Sequence, residues 1–169
     1  DFDPGNGMYN LSSNGYQDAF ILKLSQPQPL IASINQNNII CNSNSSGNAT
    51  IIAVGGLQPY LFQWSTGDSI ASIDSLSAGW YFVTVSDANG DVLLDSVEIT
   101  EPPLLKFDTA ISVNILCNSN ASGSIDISTV GGTSPYYFTW SNGATTEDLT
   151  NLSAENYYLT IIDANSCEL

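Results

Sequence analysis

Apolar side chains recur at every second position over short runs of this chain. Tyr60, Phe62 and Trp64 alternate, Tyr81, Val83 and Val85 share one face of the run from Trp80 to Val85, and Val92 to Ile99 forms another apolar-rich run. A period of two buries one face of an extended strand, and no stretch carries the 3.6-residue period of an amphipathic helix. The pattern predicts a first strand over 30–34, interrupted by polar Asn35 to Asn38 and resumed over 39–41. Further strands are predicted at 49–54, 60–64, 80–85 and 92–99, with a less regular one lined by Ile70, Ile73 and Leu76. Gly, Asn, Asp and Pro clusters separate the runs, as turns between short strands do.

The same pattern then returns. Gly55-Gly56-Leu57-Gln58-Pro59-Tyr60-Leu61-Phe62-Gln63-Trp64 recurs as Gly131-Gly132-Thr133-Ser134-Pro135-Tyr136-Tyr137-Phe138-Thr139-Trp140. Residues 41–89 and 117–165 match without a gap, and 24 of the 49 positions are identical, which makes the chain a tandem duplication. The expected fold is all-β, as tandem β-sandwiches of immunoglobulin-like size and strand count. The first repeat spans 30–103 and ends at the stiff Glu101-Pro102-Pro103 linker; the second spans 104–169. Nothing in the second repeat corresponds to the strand at 92–99, so this repeat is expected to be cut short before its last strand. Completion by further sequence, or by a strand from another chain in a donor-strand polymer, follows from that expectation.

Residues 1–29 differ. Turn signals surround Met8 to Leu11, Ala19 to Leu24 reads as a strand, and Pro27 and Pro29 form a linker. This stretch predicts a hairpin or the end of a preceding β-rich repeat. It weakly resembles the end of a β-propeller-like repeat of large secreted bacterial proteins.

Charge narrows the partners. The formal net charge is -15, with Lys23 and Lys106 the only basic residues and no His. Such a chain lacks the cations that bind a phosphate backbone, so nucleic acid and anionic membrane surfaces are poor partners. It has no long apolar run of the kind that inserts into a membrane. Apolar residues make up 43% of the chain, enough for packed cores in place of an acidic disordered tail. Without His, a Ser-His-Asp arrangement cannot form. The Asp residues sit mainly in turns, where carboxylates cap backbone groups. No catalytic or cofactor-binding residues are assigned, and no enzyme is expected.

Four features carry candidate chemistry. A Cys117–Cys167 disulfide is expected to close the second repeat, leaving Cys41 single; three buried thiols are the alternative. Asp87, Asn89 and Asp91 place oxygens at i, i+2 and i+4, like the start of a calcium loop, although the distal Glu is missing and Asp-Ala-Asn-Gly is a good hairpin turn by itself. The Tyr60, Phe62 and Trp64 face is expected to serve packing ahead of sugar stacking. Trp80 stands where the second repeat has Asn156, so it is expected to point outward.

The unit Cys-Asn-x-x-x-x-Gly, Gly-Gly-x-x-Pro-Tyr-x-Phe-x-Trp-Ser-x-Gly, Leu-x-Ala-x-x-Tyr and Asp-Ala-Asn resembles the SprB repeat of flavobacterial gliding adhesins, over roughly 37–99 and 113–169. The departures are Asp91 for the closing Cys, Glu155 for the Gly of a tight turn, and Ser166 for Gly90. The resemblance implies a structural segment of a long, secreted, extracellular cell-surface adhesin or filament of Bacteroidota, exported by type IX secretion and linked to gliding motility. Neighbouring repeats would be its partners, with self-association in a fibre or contact with surface glycans or proteins beyond them. It also implies O-glycosylation at Asp-Ser/Thr-apolar sites, here Ser69, Ser75, Ser96 and Thr109. The competing functions are a glycan- or protein-binding β-sandwich module and an accessory module of a secreted hydrolase.

Overall fold

The computed structural model describes residues 28–115 and 121–169. The readings of residues 1–27 and of Cys117 lie outside the described residues. In chain order the strands are β1 (Ile31–Asn37), β2 (Gly47–Val54), β3 (Leu61–Trp64), β4 (Ser72–Leu76), β5 (Gly79–Ser86) and β6 (Val92–Ile99). They are followed by β7 (Lys106–Val113), β8 (Gly123–Val130), β9 (Tyr137–Trp140), β10 (Leu149–Leu152) and β11 (Leu159–Ile162). The described chain is all-β, as the alternation predicts.

The first six strands form two antiparallel sheets, ordered β1-β2-β4 and β3-β5-β6. Inward residues of both sheets meet in one core. Ala49 and Ile51 come from β2, Trp64 from β3, Ile73 and Leu76 from β4, Val83 and Val85 from β5, and Val97 and Ile99 from β6. The last five strands repeat the order as β7-β8-β10 and β9-β11 around a second core of Ile127, Trp140, Leu149, Leu152 and Ile161.

Two details depart from the sequence reading. β1 runs through Asn35, Gln36 and Asn37, which pair with Thr50, Ala49 and Asn48. Polar side chains suit this end of an edge strand because all three are exposed, and Asn37 donates across to Asn48 Oδ1 at 3.0 Å. Ile39 to Cys41 do not resume a strand; Ile39 instead enters the core, and its N–H is met by Thr100 O at 2.9 Å. Of the three residues expected to line the irregular fourth strand, Ile73 and Leu76 are buried and Ile70 is exposed.

The copies differ at their start by one residue. Lys106 pairs with Val130, whereas Thr109 pairs with Ser128, so a bulge at Asp108 absorbs the extra residue and restores the register of the first copy. Beyond the bulge Ala110 stands opposite buried Ile127, as Ile34 stands opposite buried Ile51 in the first copy.

Candidate functional site

The shared motifs converge on one arrangement, built twice. The Gly-Gly pair opens the turn before β3. Gly55 and Gly56 have φ of 74° and 55°, and Gly131 and Gly132 have 77° and 56°. Space is as restrictive as the dihedral: a Cβ on Gly55 would lie 2.0 Å from Pro29 O, and one on Gly131 would lie 1.9 Å from Leu104 O. The peptide bonds before Pro59 and Pro135 are cis. Tyr60 and Tyr136 donate their hydroxyls back to Gly55 O and Gly131 O, closing the turn.

A carboxylate packs over the second glycine of each pair. Asp87 is buried, and its Oδ2 accepts the N–H of Leu57 at 2.8 Å. Its Oδ1 accepts the N–H groups of Asn89 and Asp91, both at 2.9 Å. Asp163, also buried, accepts from Thr133 through Oδ2 and from Asn165 and Cys167 through Oδ1, each at 2.8 Å. A Cβ on Gly56 would come within 2.4 Å of Asp87 Oδ2, so glycine at this position makes room for the carboxylate. One side chain thus clasps the turn before β3 to the hairpin turn that follows β5 or β11. Reading Asp as a turn cap recovers its local bonds; the bond across 30 residues to Leu57 was missed. The signal for it is a fixed spacing: Asp87 follows Gly56 by 31 positions and Asp163 follows Gly132 by 31.

The carboxylate oxygens of Asp87 are engaged by the backbone. Both oxygens of Asp87 accept from backbone N–H groups, while Asn89 and Asp91, the other two residues of the Asp-Ala-Asn-Gly-Asp turn with side-chain oxygens, are exposed. Donors aimed at the carboxylate, first the N–H of Leu57, hold the pKa of Asp87 below its ordinary value of 3.8 despite burial. A lowered folded-state pKa gives stability that is present above the ordinary carboxylate range and is lost as pH falls through the folded value. Protonating the other acidic residues relieves the repulsion of a -15 chain, so whole-protein acid stability is a mixed signal. The difference between the parent and Asp87→Asn isolates the clasp. That difference is expected to be largest near neutral pH and to shrink below the ordinary range, as read by thermal melts across pH.

The aromatics divide as expected. Trp64 is 2% exposed and donates Nε1–H to Ile70 O at 2.9 Å; Trp140 does the same toward Thr146 O at 2.9 Å. Trp80 points outward and is 57% exposed. The four candidate modification sites Ser69, Ser75, Ser96 and Thr109 are all exposed.

The expected Cys117–Cys167 pair is replaced. Cys167 is bonded to Cys41, with their Cα atoms 5.5 Å apart. Asp91 stands in the first copy where the second has Cys167, so Cys41 has no partner in its own copy. The turn after β11 lies beside the end of the first copy's opening segment, where Asn165 Nδ2 also donates to Ile40 O at 3.1 Å. Ser166 takes the place of Gly90 in this turn and keeps its left-handed backbone, at φ 66° against 88°. Ser166→Gly is expected to raise stability by about 0.5–1 kcal/mol by relieving that conformation, read as a higher urea midpoint.

A family model of the SprB repeat matches residues 33–69 and 109–145. The chain carries two SprB repeats. Each match covers most of the opening strand (β1 or β7), all of the next (β2 or β8) and the Gly-Gly to Trp segment, and stops before β4 or β10. The SprB repeat is a structural repeat and not an enzymatic one, and it is typical of large cell-surface proteins. The search of curated proteins gave no match. Among the described residues no helix is long and apolar enough to cross a membrane, and no three His, Cys, Asp or Glu side chains group as metal ligands.

Proposed function

We propose that this chain is a structural segment of a large secreted cell-surface adhesin or filament, in which each SprB repeat is a spacer unit. One observation carries the reading: the groups that both copies share are spent inward. The glycines make room, the Asp carboxylates clasp backbone N–H groups, and the Trp rings fill the cores. The strand orders β1-β2-β4 and β3-β5-β6 support an immunoglobulin-like unit over 30–103, echoed over 104–169. The strongly acidic composition and the Cys41–Cys167 bond suit an extracellular setting, since disulfides persist in oxidising compartments. Gliding and type IX export are the finer form of this reading. Enzymatic activity has no part in it.

A second reading, as a binding module, is favoured by the outer face of β3-β5-β6. Leu61, Trp80, Phe82 and Leu94 are each more than half exposed there. Packing against neighbouring repeats, glycans or a protein would each use such a face.

The test is surface labelling. Antibodies raised against the chain are expected to label unpermeabilised cells, with immunogold along surface projections. Label that appears only after permeabilisation contradicts the proposal.

A further inference from the structure

The cysteine bond crosses the junction between the two copies. Cys41 lies just after β1 and Cys167 after β11, at a sequence separation of 126. Each is held by its own copy. The segment around Cys41 is pinned to the linker into the second copy: the Ile39 N–H reaches Thr100 O at 2.9 Å, Asn42 Nδ2 donates to Pro102 O at 2.9 Å, and the Ser43 N–H donates to Glu101 Oε2 at 2.7 Å. Cys167 sits in the turn gripped by the second clasp, its N–H 2.8 Å from Asp163 Oδ1. That clasp lies where the second copy begins, because Asp163 also holds Thr133 and the neighbouring Gly132 donates to Pro103 O at 2.7 Å.

Tension that enters the chain before Cys41 and leaves it after Cys167 has two routes. One is the backbone of residues 42–166. The other is the sulfur bridge, whose Cα atoms are 5.5 Å apart. Drawn out at about 3.5 Å per residue, a separation of 126 spans about 440 Å, so the bridge is taut long before the backbone is. Among the described residues, β2 to β11 lie inside the bridged loop, and so do the buried residues of both cores except Ile39. β1 lies on the direct route, and a strand is already extended, so it has little length to give.

We propose that the Cys41–Cys167 bond is a force bypass. It carries tension covalently across the junction and leaves the two repeat cores unloaded. The hydrogen bonds of β2 to β11 then hold the fold without resisting the pull. The device acts on tension from any source, so it stands apart from the cell-surface reading. Both cysteines are half-buried, so a small dithiol reaches the bond. The dithiol closes to its own cyclic disulfide as the bridge becomes two thiols, and the pull passes to the repeats.

The test is single-molecule stretching of the 169-residue chain, tethered through enzyme-ligated tags at its two ends. With the bond intact, the total release is expected to stay within about 150 Å, the length of residues 1–41 and 168–169 drawn out. Dithiothreitol is expected to add about 440 Å, released in unfolding steps as the repeats take the load. Cys41→Ser is expected to give the full release without dithiothreitol. The parent with and without dithiothreitol decides the matter even where that variant folds poorly. A digest under non-reducing conditions fixes the connectivity in the same sample. Full release before reduction overturns the proposal, as does an unchanged length after it. A digest that links Cys117 to Cys167, or leaves Cys41 as a thiol, overturns it as well.

Discussion

Replacing Trp64 by alanine is expected to destabilise the first repeat by about 3–5 kcal/mol, read from urea unfolding. The ring is 2% exposed in a core with Ile51, Val83 and Val85, so its removal leaves a cavity that strands from two sheets cannot collapse to fill. The loss also orphans Ile70 O, which accepts from Nε1 at 2.9 Å and ties the loop before β4 to β3. Trp140, 5% exposed and bonded in the same way to Thr146 O, is expected to behave alike in the second repeat. Trp80→Ala provides the contrast. Its ring is 57% exposed, and its loss is expected to change stability by less than about 0.5 kcal/mol.

Asp163→Asn is expected to cost the second repeat on the order of 2–3 kcal/mol, and Asp163→Ala more, on the same measurement. The carboxylate is acceptor-only and receives three backbone N–H groups. An asparagine keeps one oxygen and turns its own donors toward whichever N–H groups remain. With alanine all three are left without an acceptor, at a site 2% exposed. A role for Asp163 confined to a surface turn would predict a change within about 0.5 kcal/mol instead.

The longer strands β2, β5 and β6 were legible because one face of each is buried, which writes a period of two into the sequence. β6 was placed at 92–99, its bounds in the structure. The end of β1 was misread because Asn35 to Asn37 are polar: an edge strand whose side chains face water leaves no apolar trace, yet its backbone still pairs. Duplication sharpened other positions. Trp80 facing Asn156 marked an outward side chain without any structure, since no core accepts both. The clasp was half legible. Local bonds from Asp87 to Asn89 and Asp91 follow from turn chemistry, but the bond to Leu57 depends on which turns the sandwich brings together. The disulfide was not legible, because cysteine spacing does not choose among connectivities. Three cysteines allow three single pairs, and closing each repeat on itself selected a different pair from the Cys41–Cys167 bond in the structure.

The account holds that the residues repeated at an offset of 76 build each copy's own core and clasp. Residue-resolved hydrogen exchange on Asp163→Asn tests this most directly. The predicted result is loss of protection in β8, β9 and β11, with β2, β3, β5 and β6 as protected as in the parent. Equal loss of protection in both sets of strands would contradict it.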